Sequence, residues 1–242
     1  DTGAALIQSA GKKNHVPGWD FTFTVPKSVS ILWSRVDPEN RQIIEDIVQE
    51  SVEETLAFAE EHFARSRTGH AGSGPLVEVG IVAATFQHGT SRACEPNLHI
   101  HSPLFNVGVD EHGKTRAIHS PLLFEVKKML GAYGRSLVAH KLEKKFGVRT
   151  RRHGDSFEIV GVPQNVIDAM SSRRKEILEF MDEAGFTGAK AAEYAALATR
   201  TKKDVPPRGE LFAGWQEQYD QMGFTLDSLA QLQTQTDRDN RQ

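Results

Sequence analysis

Leu98-His-Ile-His-Ser-Pro-Leu-Phe-Asn-Val-Gly-Val109 reads as a β-strand, and the organisation of the chain follows from it outward. Side chains alternate faces with a period of two along a strand, so the imidazoles of His99 and His101 point to the same side. His88, eleven residues before His99, ends a largely apolar stretch, Leu76–His88, that also reads as a strand. The loop Gly89–Asn97 turns the chain back between them and can bring His88 opposite the pair. Three neutral imidazoles converging from neighbouring strands are a way to hold a divalent metal with positions left open for substrate. A lone His-x-His in a strand is more often a surface or packing feature. The third histidine weighs against that reading.

Upstream, Asp20-Phe-Thr-Phe-Thr-Val25 alternates polar and apolar residues, the mark of a half-buried strand, and Pro26 stops it. Pro38 follows a capping Asp37 and opens an amphipathic helix with apolar residues at 43, 44, 47, 48, 52, 56, 59 and 63. Downstream, Asp110–Gly113 is hairpin chemistry leading to a short strand at 114–118. Ser120-Pro121 opens a second long helix that ends at Gly147, and segments 148–153 and 156–160 form a further hairpin. The spacing predicts a third helix over Pro163–Ala184, a helix from 187 to about 199, and another over 208–230, with a polar, frayed end at 231–242. Strands and helices mix without regular βαβ alternation, which predicts an α+β fold with an antiparallel sheet.

The chain has 242 residues with 38% hydrophobic and 25% charged, one large domain or a domain with an appendage. We divide it into a core over 1–200 and a helical extension of the same domain over 201–242. No apolar run approaches the roughly 20 residues that cross a bilayer, so no membrane insertion is expected. The single cysteine, Cys94, excludes an intrachain disulfide framework and a cysteine-based zinc finger and suits a reducing cytoplasm. The net charge of −3 hides a split: residues 37–61 carry nine acidic residues against Arg41, and residues 112–153 carry eleven Lys/Arg against Glu125 and Glu143. We read these as two opposite faces, the basic one a footprint for polyanions, although a charge run alone is more often a solvated helix face.

Asp20 opens a strand where sheet building gains nothing from a carboxylate. It is either a strand-edge aspartate or a group that orients a ligand histidine or acts as a base near the metal. Lys27 and Ser28 present a cation and a hydroxyl just after that strand, suited to phosphate if a helix begins there, with a helix cap as the plain alternative.

Gly18-Trp-Asp-Phe-Thr-Phe-Thr-Val-Pro-Lys-Ser-Val-Ser30 resembles the Gly-x-Asp-Leu-Thr-Phe-Ser-x-Pro-Lys-Ser-Val-Ser signature of the TrwC/TraI-type (MobF) conjugative relaxases. Phe86-Gln-His-Gly-Thr-Ser-Arg92 with Pro96-Asn-Leu-His-Ile-His101 is similar to their histidine motif, whose His-hydrophobic-His pair names the HUH endonucleases. Ser172-Arg-Arg-Lys-Glu-Ile177 and Ala198-Thr-Arg-Thr-Lys-Lys203 echo later segments, so the likeness runs from about residue 18 to about residue 226. The resemblance implies a five-stranded antiparallel sheet flanked by helices, and single-stranded origin-of-transfer DNA held against it. It also implies a tyrosine that attacks the scissile phosphate to leave a 5′-phosphotyrosine and a free 3′-hydroxyl. By position His88, His99 and His101 match the metal ligands and Asp20 matches the aspartate near the nucleophile. The expected ion is magnesium or manganese in the cell, with zinc or nickel also able to take an imidazole site. Lys27, Ser28, Arg92, Lys127, Lys128, Arg135 and Arg149 are the expected DNA contacts. A bacterial, cytoplasmic monomer is expected, with other relaxosome proteins as further partners.

One departure stands out. The family carries its nucleophilic tyrosines well upstream of the Gly-x-Asp motif, and the seventeen residues before Gly18 include no tyrosine. Tyr133, Tyr194 and Tyr219 all fall in predicted helices with ordinary spacing. We therefore expect a chain trimmed at its N-terminus, lacking the first strand and the nucleophile, and inactive alone in covalent cleavage. A non-catalytic module for single-stranded or hairpin DNA is the alternative, and an unrelated three-histidine hydrolase or oxygenase a third.

Overall fold

The computed structural model describes residues 6–7, 11–199, 205–228 and 230–231. A five-stranded antiparallel sheet is built around one long strand. Strand β1 (Gly18–Thr24), helices α1 (Lys27–Arg35) and α2 (Pro38–Phe63), and the short pair β2 (Arg65–Arg67) and β3 (Leu76–Glu78) come first. Strands β4 (Gly80–Ala83), β5 (Phe86–Thr90), β6 (Pro96–Val109) and β7 (Thr115–Arg116) follow, and then helix α3 (Ser120–Phe146). The hairpin β8 (Thr150–His153) and β9 (Ser156–Ile159) precedes helices α4 (Gln164–Ala169), α5 (Ser172–Glu183), α6 (Ala189–Ala198) and α7 (Arg208–Gln221). In the main sheet β6 pairs with β1, β4, β5 and β7, running antiparallel to β1, β4 and β7. The α+β fold with a five-stranded sheet flanked by helices is therefore as the sequence predicts.

The chain divides into two compact units, neither continuous in sequence. The first holds residues 1–24, 46–88 and 99–141. Its apolar core lies on one face of the sheet. There Leu104 packs with Ala59 of α2, Ile118, and Leu123 and Leu130 of α3, flanked by Trp19 and Phe21 of β1 and Ile81 of β4. Burying that face forces the opposite, polar face of β1 and β6 toward solvent: Asp20, Thr22 and Thr24 are exposed while Ile100, Ser102 and Leu104 are buried. The acidic and basic runs, expected as two opposite faces, meet at Lys141. Lys141 of α3 bridges Glu50 and Glu54 of α2 at 2.8 and 2.7 Å, because the two helices pack on the same side of the sheet.

The second unit holds residues 25–45, 89–98 and 142–242. Its centre is Trp33, 2% exposed, whose ring meets Phe212 at 5.1 Å and Trp215 at 6.0 Å and whose Nε1 donates to Glu45 at 2.8 Å. Tyr219 is fully buried and shares a 2.7 Å hydrogen bond with Ser34. Helix α7 thus belongs to this core, so the expected seam at residue 200 falls inside the unit.

Three predicted elements change where tertiary contacts intervene. The stretch 76–88 is three strands rather than one, because β3 leaves the main sheet to pair with β2 and a register shift falls between Ile81 and Ala83. The single helix expected over 163–184 breaks into α4 and α5, where the buried Glu95 carboxylate accepts the N–H groups of Ser172 and Arg173 and starts a new helix. Helix α7 stops at Gln221 rather than 230. Gly223 takes φ +67°, the Phe224 N–H returns to the Tyr219 carbonyl at 2.9 Å, and Phe224 is buried. The expected frayed end beyond 231 lies outside the described residues.

Asp37 caps α2 as the sequence predicts, its Oδ1 accepting the N–H groups of Glu39 and Asn40 at 3.0 Å each. Those bonds, first the backbone N–H of Asn40 and then its side chain, hold the carboxyl below its ordinary value. A lowered folded-state value means the cap contributes stability above the ordinary carboxylate range and loses it as pH falls through the lowered value. Between pH 6 and 3 the melting temperature of the parent is expected to fall further than that of Asp37→Asn, which caps comparably without titrating. Parallel profiles in a thermal melt series would overturn this.

Candidate metal centre

The exposed face of the sheet gathers the histidines. The β1–β6 register places Thr24 opposite His99, Thr22 opposite His101 and Asp20 opposite Pro103, so all these side chains share one face. His88 comes from β5 on the far side of β6. Ring centroids stand at 5.3 Å for His88–His99, 4.9 Å for His88–His101 and 5.1 Å for His99–His101. Burial grades across the trio, with His99 buried, His101 half-buried and His88 exposed, so the centre opens toward solvent on one side.

Asp20 touches this centre. Its Oδ2 lies 2.6 Å from His101 Nδ1, and Thr22 Oγ1 lies 3.1 Å from the same nitrogen and donates to Asp20 Oδ2 at 3.3 Å. A carboxylate at that distance makes Nδ1 the protonated nitrogen and presents the Nε2 lone pair to a ligand. Of the two roles left open in the sequence, strand-edge acid or orienting group, the contact with His101 is the geometry that the orienting role requires. Thr22 was not singled out from sequence. Its place two residues from Asp20 on an alternating strand is the signal that would have found it.

The donor set fits a divalent ion. One nitrogen from each histidine lies within 4.8 Å of the others. Three nitrogens bound at about 2.1 Å to one tetrahedral or octahedral ion stand about 3.0–3.4 Å apart, so closing the trio takes side-chain shifts of up to about an ångström. Three neutral imidazoles leave the ion its full charge and favour later first-row metals by affinity.

The other expected site residues fall in different places. The α1 N-terminus, expected to meet phosphate, is occupied by the protein's own acid: Glu158 accepts the Ser28 N–H at 3.1 Å. Ser28 is fully buried and its Oγ accepts the Ile159 N–H at 2.9 Å. Lys27 donates to the Pro96 carbonyl at 2.8 Å, and burial pulls its ammonium below the ordinary value against the opposing pull of Glu95 and Glu158. Both positions serve packing in the second unit, and we remove them from the DNA-facing set. Lys127 and Lys128 are exposed on α3, Lys127 lying 6.0 Å from the Phe124 ring, and Arg135 is half-buried on the same helix. Arg92, in the turn before β6, and Arg149, before β8, are half-buried in the second unit. Gly89, directly after His88, approaches Trp33 so closely that a Cβ there would stand 2.5 Å from the ring, which only glycine avoids.

A family model described as TrwC relaxase matches residues 1–222. The chain is 32% identical to the multifunctional conjugation protein TraI of Escherichia coli (strain K12), over 93% of this chain and 13% of TraI, so it spans a small part of that relative. Among solved structures it is similar to the conjugative relaxase TrwC in complex with OriT DNA in a metal-bound form. There the TM-score is 0.81 at 28% identity, covering 93% of this chain and 79% of that one. TrwC complexed with a 27-mer DNA comprising the recognition hairpin and the cleavage site matches at TM-score 0.82 and 28% identity, covering 93% and 81%. Among the described residues no helix is long and apolar enough to cross a membrane.

Proposed function

The chain belongs to the TrwC relaxase family, and from that membership we propose that it holds single-stranded origin-of-transfer DNA for nicking and strand transfer at the three-histidine centre. The observation that carries this reading is the convergence of His88, His99 and His101 on the open sheet face, with Asp20 locked onto His101. A divalent ion held there, magnesium or manganese in the cell and zinc or nickel in their absence, supplies positive charge for the non-bridging oxygens of a phosphodiester. Asp20 keeps His101 in its ligating tautomer through Oδ2, and its Oδ1 is the acceptor for the proton of an attacking hydroxyl. A tyrosine supplied from outside these 242 residues would form the new bond to phosphorus through its oxygen as the bond to the 3′ oxygen breaks, that oxygen leaving as a hydroxyl once it takes up a proton, and the tyrosyl ester would keep the phosphodiester energy for rejoining. Arg92, Lys127, Lys128, Arg135 and Arg149 carry the DNA backbone.

A non-catalytic DNA-binding role is favoured by one observation, the placement of the three tyrosines. Tyr133 stacks on Phe58 at 4.7 Å, Tyr194 packs near Phe186 at 5.9 Å, and Tyr219 is fully buried on Ser34 with its ionisation opposed by that burial. None of them is the attacking group in our reading.

Labelled single strands from the origin region of the encoding replicon separate these readings. The 242-residue chain is expected to bind them better than duplex of equal length, and to form no covalent adduct on a denaturing gel with Mn²⁺. A preference for duplex would overturn the DNA reading. An adduct would mean that Tyr133, Tyr194 or Tyr219 attacks.

A further inference from the structure

Two large aromatic rings lie uncovered on the sheet face that carries the histidines. Phe86 sits two residues before His88 on β5, hence on the same face, and is 55% exposed. Phe105 lies four residues past His101 on β6, again on that face, and is 47% exposed. Opposite Phe105 the β1 register places Gly18, which has no side chain to cover the ring. Neither ring pairs with another aromatic ring among the described residues, whereas Phe58 and Phe63 of the same unit pack against the core. Strand rise puts Phe86 roughly 7 Å from His88 and Phe105 roughly 13 Å from His101.

We propose that Phe86 and Phe105 are stacking platforms for unpaired bases flanking the phosphate at the histidine centre, an inference that rests on the DNA reading above. Every base offers a planar face to an aromatic ring, and such stacking is tolerant of sequence. Phe86 lies on β5 and Phe105 on β6, where Pro103 stands between Phe105 and His101 and the exposed Val109 follows on the same face. Their place on the face of the histidine centre assigns them to bases of the strand held there, and a protein partner is one of the outcomes the test can return. Phe86 and Phe105 would thus position the strand so that its phosphate, rather than a base, meets the histidines.

The test compares two probes by fluorescence anisotropy at low salt: an oligo(dT) of about 12 nucleotides and an abasic strand of the same length. Phe86→Ala and Phe105→Ala are each expected to weaken oligo(dT) binding about fivefold or more while leaving abasic binding and the melting temperature unchanged. Phe86→Trp restores the oligo(dT) affinity. Equal losses on both probes, or no loss on oligo(dT), would overturn the stacking role while leaving the DNA reading intact. A parent chain that binds neither probe overturns both. A parent that sediments as a dimer, dissociated by either alanine variant, assigns the rings to a second copy and overturns the proposal.

Discussion

His101→Ala is expected to abolish stoichiometric binding of Mn²⁺ or Zn²⁺, with an affinity loss above 100-fold. Outer groups that merely orient a ligand cost about 10- to 100-fold when removed, and in the proposed centre His101 is a ligand in its own right, with Asp20 and Thr22 against its Nδ1. The readout is titration calorimetry on chelator-treated protein, paired with thermal melts. An ion at 100 times its dissociation constant stabilises the parent by about 2.7 kcal/mol, and that gain disappears in the variant. Because the His101 side chain is 32% exposed, its removal leaves the ion-free melting temperature nearly unchanged. Unchanged metal affinity would remove the three-histidine assignment.

Trp33→Ala is expected to cost about 3–5 kcal/mol of stability, the range for deleting a large buried aromatic. The ring fills the space among Phe212, Trp215 and Gly89, and its Nε1 is bonded to Glu45, a buried carboxylate that also pairs with Arg208 at 2.6 Å. For a chain of this size the loss corresponds to a fall in melting temperature of roughly 6–20 °C. Trp33→Phe, which keeps much of the volume and loses the hydrogen bond, falls between the two. A loss below about 1 kcal/mol in chemical denaturation would show that the second unit does not depend on this cluster.

Much of the site is written in local patterns. A period of two puts His99 and His101 on one side of β6 whatever the rest of the chain does, and the alternation in Asp20–Val25 places Asp20 and Thr22 together on the open face of β1. The loop lengths to His88 permit its return. The helix after Asp37 is equally local, since the cap reaches only to N–H groups two and three residues away.

Charge and terminus arguments failed where distant groups compete for the same atoms. Lys27 and Ser28 carry the right chemistry for phosphate, yet Glu158, 130 residues further along the chain, reaches the helix N-terminus. Lys141 reads as part of a free basic face until α2 packs beside it and supplies Glu50 and Glu54. The helix over 163–184 is continuous in its apolar spacing, and only the carboxylate of Glu95 decides that it restarts at Ser172.

The sequence by itself determined the family, the sheet, the shared face of the histidine pair and the residue types of the centre, because each depends on neighbours within a few positions or on motifs read in order. The antiparallel register was decided by the tertiary structure alone: it slides Thr22 opposite His101 and brings the Asp20 carboxylate to 2.6 Å from Nδ1. A shift of one residue would have turned those side chains toward the core. The physical reason is that strand pairing is selected by the burial of Phe21, Ile100 and Leu104 on the opposite face, an energy summed over the whole sheet and invisible in any one segment.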